Sequence, residues 1–146
     1  MPDEISFERT IEVRDCCLCL HVQRAARVLA RRFDEALRPL GLTNGQFSLL
    51  MALNQPMPPS IGNVAQILAM DRTTLTAALK PLERRGLLAV TPDGKDRRSR
   101  RLSLTAEGYE VLGQAYPIWH TTHDLVDSQL GPGAPARLRQ DLGRLS

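Results

Sequence analysis

Three groups of residues in this sequence can carry chemistry. The first is cationic: Lys95, Arg97, Arg98 and Arg100 crowd together with a single acid, Asp96, among them. The second is a set of thiols, Cys16, Cys17 and Cys19, with His21 close behind. The third pairs His120 and His123, three residues apart, with Asp124 and Asp127. Three-residue spacing places two imidazoles on one helix face, as zinc requires, but the sequence fixes no third ligand. Cys16 and Cys19 share that spacing, yet a zinc knuckle needs a second cysteine pair and none exists. The three cysteines form no secreted disulfide framework, and within a helix they read as small apolar residues. No metal and no cofactor are expected. Nor is an enzyme, because no glycine-rich phosphate loop, nucleophile elbow or paired-carboxylate motif appears; thiol chemistry at Cys19 is the one concrete form it would take.

The cationic group is the one whose surroundings are organised to present it. Residues 60–105 read as two short helices, a hairpin and a basic loop. Ser60 can cap a helix over 61–68, and Asp71 can cap the next over 72–85, which stops at Gly86. Two capped helices a few residues apart match a helix-turn-helix. In the second, Leu75, Ala78, Leu79 and Leu82 form one apolar stripe. Thr73, Ala77, Lys80 and Arg84 point the opposite way, and Thr74 and Thr76 flank that outer face. Small side chains near a helix N-terminus let backbone approach a groove floor, and threonine can bond a base edge or touch a thymine methyl. Lys80, Arg84 and Arg85 lie further along, where phosphate contacts are expected. Ser60 and Arg72, at the two helix starts, join this set. Residues 87–91 and 101–104 read as strands, with Pro92-Asp93-Gly94 as the turn. A basic hairpin of this kind suits the negative potential of a minor groove. A winged-helix module that binds protein instead would carry an apolar, uncharged wing, and Arg97, Arg98, Arg100 and Arg101 speak against it.

The run from Asp96 to Thr105, followed by Ala106-Glu107-Gly108, resembles the wing signature of the MarR family of regulators. The resemblance extends back through Leu82-Glu83-Arg84-Arg85-Gly86-Leu87 and Leu42-Thr43-Asn44-Gly45-Gln46-Phe47 and covers most of the chain. It implies that Arg98 enters the minor groove and that Asp96 holds it in place. It also implies a homodimer that binds double-stranded DNA, usually as a repressor, with small-molecule effectors or oxidants loosening the complex.

The remaining chain supplies the scaffold. Residues up to about Arg14 read as an arm or a first helical turn. From Asp15, an amphipathic helix carries Leu18, Val22, Ala25, Leu29, Phe33, Ala36 and Leu40, with an Arg31–Glu35 pair one turn apart, and ends at Arg38-Pro39. Thr43 and Gln46 make a capping box. Thr105 can cap a long helix with a seam of Tyr109, Leu112, Tyr116, Trp119, His123, Val126 and Leu130, which Pro117 should kink. Leu138, Leu142 and Leu145 mark a last helix. The winged module is too small to cover all these seams, so a two-fold dimer is expected, presenting two recognition helices to a near-palindromic duplex. The expected fold is mainly α with a small β-hairpin wing: a winged helix-turn-helix with N- and C-terminal dimerisation helices. Its divisions are 1–42 (arm and dimerisation helix), 43–105 (DNA-binding module) and 106–146 (C-terminal dimerisation helices).

In a chain of 146 residues, 42% apolar and 24% charged, with no apolar run of membrane-spanning length, one domain with a real core, or a domain plus an oligomerisation element, is expected in the cytoplasm, with no membrane partner. Net charge is only +3, so clustering rather than total charge carries the reading. For sensing, the organic-hydroperoxide branch of the family places a reactive cysteine where Cys19 stands. There tyrosine hydroxyls help hold the thiolate, but the matching positions here are Phe33 and Asn44, and Phe33 offers none. The preferred expectation is that Cys19 packs near the dimer interface. Effectors would then bind between the first helix and the winged module, against Phe33, Phe47 and Leu50.

Overall fold

Side-chain caps set four helix starts where the sequence reading places them. The Gln46 amide N–H donates to Thr43 Oγ1 at 3.1 Å while Gln46 Oε1 accepts from the Thr43 amide at 3.1 Å, closing the capping box. The Asn63 amide donates to Ser60 Oγ at 3.1 Å, the Thr74 amide to Asp71 Oδ1 at 2.8 Å, and the Gly108 amide to Thr105 Oγ1 at 3.0 Å. Each hydroxyl cap contributes about 1 kcal/mol.

The computed structural model describes residues 4–96 and 98–146. Among them the chain runs α1 (Phe7–Cys16), α2 (Leu18–Leu37), a 3-10 turn (Arg38–Leu40), α3 (Asn44–Leu53), α4 (Ile61–Leu68), α5 (Arg72–Arg84), β1 (Leu88–Pro92), β2 (Arg100–Leu104), α6 (Ala106–Ser128) and α7 (Ala134–Gly143). The strands are antiparallel, with Leu88 opposite Leu104 and Val90 opposite Leu102. The proline-rich loop before Ser60 reinforces β2. Prolines lack an N–H but keep their carbonyls: Pro59 accepts the Leu102 amide at 2.9 Å, and Pro58 accepts Arg101 Nη1 at 3.2 Å.

Leu37, Leu50, Val64, Leu75, Leu82 and Leu102 are the largest fully buried side chains, and they come from α2, α3, α4, α5 and β2. Leu112 and Ala115 of α6 close the same core, and no polar or charged residue is buried among the described residues. Burying each leucine contributes about 1.5–3 kcal/mol. The core therefore fastens α4 and α5 to α2 and α6, whereas α1 and α7 place no residue in it.

Several expectations are corrected. The N-terminal stretch is not an arm or a single turn: Ser6 caps a separate three-turn helix, α1. The expected helix from Asp15 is broken at Cys17, whose extended backbone and Sγ, accepting from the Leu20 amide at 3.4 Å, start α2. Residues 7–16 lack an apolar stripe, so periodicity gave no sign of them. Both strands lie about one residue off the expected bounds, with Pro92 inside β1. The Arg31–Glu35 pair is not formed; Arg32 Nη1 donates to Gln129 Oε1 at 2.7 Å instead, tying α2 to the end of α6. The α6 seam divides: Leu112 is buried, while Tyr109 and Tyr116 are exposed. The helix stays continuous across Pro117.

Gly108 sits where α6 meets the wing. A Cβ there would lie 1.8 Å from the Leu87 carbonyl oxygen, whereas one at Gly113, on the same helix, would meet nothing within 4 Å. Gly108→Ala should lower unfolding stability by about 3 kcal/mol, at the upper end of ordinary overpacking. Gly113→Ala should raise it by up to ~1 kcal/mol, through helix propensity alone. Urea unfolding of the two variants checks the contrast, and a neutral Gly108→Ala would refute the close approach.

Candidate nucleic-acid interface

The start of α4, the outer face of α5 and the wing converge on one cleft of about 370 Å³, lined by Ser60, Ile61, Gly62, Arg72, Thr76, Asp96, Arg98, Ser99 and Arg100. Arg72 leans across α4. A Cβ at Gly62 would stand 2.9 Å from its Nη2, so the glycine makes room for the guanidinium. Three arginines against one acid make this surface strongly anion-attracting. Thr73, Ala77, Lys80 and Arg84 are exposed further along α5. Lys95 is exposed at the wing, and Arg97 lies outside the described residues.

The hydroxyls along this face differ in what they have left to offer. Thr74 Oγ1 donates to Asp71 Oδ2 at 2.7 Å, and Ser60 Oγ donates to Asn63 Oδ1 at 2.7 Å. A hydroxyl has one proton, so in this conformation neither can also donate to a phosphate or a base. Thr73 and Thr76 make no such bond and keep that capacity. The two Thr74 bonds, backbone first and then hydroxyl, hold the Asp71 carboxyl below the ordinary carboxylate range.

The wing is shaped by two aspartates. Asp93 Oδ1 accepts the Lys95 amide at 3.0 Å, and Oδ2 takes Arg101 Nε at 3.2 Å and Nη2 at 3.1 Å. The Lys95 amide and then the Arg101 charge keep the Asp93 carboxyl low against partial desolvation. Asp96 Oδ1 accepts the backbone N–H of Arg98 at 3.0 Å. Asp96 therefore fixes the turn that carries Arg98 rather than gripping its guanidinium. Arg101, bound to Asp93 and to Pro58, is a brace at the base of the wing. Arg85 is likewise turned inward, onto the carbonyls of Leu40 and Gly41. Arg85, expected among the phosphate-contacting cations, is exposed, but two of its five N–H donors are engaged by those carbonyls.

A second cleft, about 260 Å³, lies between α2, α3 and α6 and is lined by Phe33, Leu37, Asn44, Phe47, Ser48, Trp119 and His123. Leu50, expected here, is fully buried in the core and does not line it. Trp119 stacks on Phe47 and on His123, with ring centroids 6.1 and 4.8 Å apart. Sequence reasoning placed Trp119 and His123 on the α6 seam but not in this cleft, because periodicity gives a helix face and not the element opposite it. Asp34 Oδ1 accepts both the amide and Nδ2 of Asn44, at 2.7 and 2.8 Å, bonds that lower its carboxyl pKa, backbone bond first. Each α6 histidine faces an aspartate one turn on, His120–Asp124 at 3.3 Å and His123–Asp127 at 3.6 Å. No group of three or more His, Cys, Asp or Glu gathers for a metal among the described residues. Cys19, expected to pack, is exposed in the single chain, and its Sγ accepts from Gln23 Nε2 at 3.0 Å. No helix among the described residues is long and apolar enough to cross a membrane.

A helix-turn-helix joined to a basic two-stranded wing defines a winged helix-turn-helix protein. The chain belongs to the MarR family, whose model matches residues 42–99. It is 36% identical over 103 residues to the transcriptional activatory protein BadR of Rhodopseudomonas palustris, a match covering 66% of this chain and 59% of that one. The chain thus spans less than two thirds of this curated relative. Among solved structures it is similar to the M. tuberculosis transcriptional regulator MosR in complex with DNA, at 37% identity over 88% of this chain and 92% of that one, with a TM-score of 0.81. It is also similar to the transcriptional repressor CouR bound to a 23-mer DNA duplex, at 29% identity, 97% and 98% coverage and a TM-score of 0.81. These relatives are regulators and not enzymes.

Because the Asp71 carboxyl is lowered in the folded chain, the cap it makes stabilises fully above the unfolded carboxylate pKa, near 3.8, and is lost as pH falls through the folded value beneath it. Melting temperatures of wild type and Asp71→Ala, followed from about pH 7 to about pH 2.5, should therefore differ most at neutral pH and converge in acid. A gap independent of pH would show that the charged cap contributes nothing.

Proposed function

We propose that the protein is a homodimeric transcriptional regulator of the cytoplasm that binds near-palindromic double-stranded DNA. The observation that carries this is the single basic cleft joining Arg72 and Thr76 of the helix-turn-helix to Arg98 and Arg100 of the wing. A recognition helix in the major groove and an arginine-bearing hairpin in the adjacent minor groove would share that surface. Thr73, Thr76 and Ala77 set base preference; Lys80 and Arg84 add salt-dependent affinity.

Dimerisation is supported by apolar side chains left uncovered on the terminal helices: Phe7 is 75% exposed, Leu18 68%, Leu125 54% and Leu138 47%. Burying them between two copies removes apolar surface from water that this chain alone cannot cover. Repression by occupying the operator is the mode proposed; BadR is named an activator and CouR a repressor, so the same binding chemistry serves either sign. Small planar effectors are proposed to enter the cleft between Phe33, Phe47 and Trp119, favouring one spacing of the DNA-binding lobes over another. The fluorescence of Trp119, the single tryptophan, should change when an aromatic compound that releases DNA is titrated in; release without that change places the effector elsewhere.

Selection of bound sites from random duplexes tests the central reading. Arg98→Ala should bind the selected duplex about 1–3 kcal/mol more weakly at matched salt with its fold intact, and equal binding would refute the groove role of the wing. Leu138→Asp, on a helix that contributes nothing to the core, should give a folded monomer with much weaker duplex binding. A variant that still sediments as a dimer would remove α7 from the interface.

A further inference from the structure

Arg85 stands just past α5, and its side chain turns away from the DNA-facing surface. Its Nη1 donates to the Gly41 carbonyl at 2.7 Å and its Nη2 to the Leu40 carbonyl at 3.1 Å. These carbonyls lie at the end of the 3-10 turn that closes α2, where partial negative charge collects and a cation is favoured. The seat is fitted to the guanidinium. Gly41 has φ +66°, and a Cβ on it would lie 3.4 Å from Arg85 Nη2. On the other side, the Gly86 carbonyl accepts Thr105 Oγ1 at 2.6 Å, binding the same chain end to the start of α6.

The last turn of α5 depends on this clamp more than an unbroken helix would. Pro81 supplies no N–H to the Ala77 carbonyl, so the ladder between the two halves of the helix lacks one rung. The bonds at Arg85 and Gly86 then set the angle at which α5 leaves α2 and α6. Those two helices are the scaffold of the proposed dimer, and α5 is the helix that would read the groove.

We propose that Arg85 is a positioning residue for operator recognition: it touches no phosphate, and it sets which separation of half-sites the dimer accepts. This rests on the reading of the protein as a duplex-binding dimer. A planar fork on two adjacent carbonyls holds direction as well as distance, which a lysine cannot reproduce. A small change in the angle of each recognition helix is doubled across the two-fold axis, so the spacing preference should respond before the base preference does.

The experiment compares wild type, Arg85→Met and Arg85→Lys on the duplex selected by the wild-type protein. The same duplex with one base pair inserted or removed between half-sites serves as the second substrate, and each is titrated over a range of salt. Arg85→Met should bind the native spacing roughly tenfold more weakly. Its preference for native over altered spacing should collapse toward unity, while base preference and the slope of affinity against salt stay as in wild type. Arg85→Lys should fall between the two. An equal loss on all spacings with a salt slope reduced by about one would identify a phosphate contact and overturn the inference. A loss that tracks only the folded fraction, with the spacing preference kept, would also overturn it. Wild-type protein that binds no duplex would overturn the proposed function itself; a binding wild type beside an Arg85→Met variant with unchanged spacing preference overturns this inference alone.

Discussion

The grip of the peptide at Gly86 and Leu87 on the first turn of α6 is the contact on which the rest of the structure depends. The Leu87 carbonyl accepts the Thr105 amide at 3.1 Å, the Gly86 carbonyl accepts the Thr105 hydroxyl at 2.6 Å, and that hydroxyl in turn accepts the Gly108 amide at 3.0 Å. Only a residue without a Cβ can stand at 108 so close to the Leu87 oxygen. The end of α5, the beginning of the wing and the longest helix are thereby held at one point. With α6 fixed there, Leu112 and Ala115 reach the core and Trp119 reaches Phe47.

A division of polar labour follows. The core holds no polar side chain among the described residues, so the hydrogen-bonding groups are spent at helix starts, turns and junctions. Asp71, Asp93, Asp96, Thr74, Ser60, Arg85 and Arg101 all serve the frame. What remains turned outward on the basic face is a shorter set, Thr73, Thr76, Lys80, Arg84, Lys95 and Arg98, beside Arg72 and Arg100 in the cleft. Rigid backing for these groups would matter for the proposed base readout, which needs side chains held in register with a groove. Their positions are inherited from caps and braces, of which only Ser60 and Asp96 also line the basic cleft.

Much of this was legible in the residues. The caps at Thr43, Ser60, Asp71 and Thr105, the buried stripe of α5 and the hairpin all lie within one or two positions of where periodicity and turn chemistry put them. Such features are local: a hydroxyl and an amide three residues apart, or leucines at helical spacing, meet because of backbone geometry alone. Helix α1 escaped notice because it has a cap but no apolar stripe. Arg85 was read as a phosphate contact and Arg101 only as part of the wing's charge, because sequence shows charge without direction. Their acceptors, at Leu40, Gly41 and Pro58, lie more than forty residues away along the chain.

The sequence by itself determined the elements, their order, the basic hairpin and the family to which the chain belongs, since each rests on short-range patterns of cap, period and turn. Only the tertiary structure decided which cations are presented and which are spent as braces. It also decided which hydroxyls keep a free proton, and which side chains wall the aromatic cleft while Leu50 sinks into the core. These outcomes depend on what lies across from a helix face, and that is set by the packing of the helices and the wing against one another rather than by any spacing along the chain.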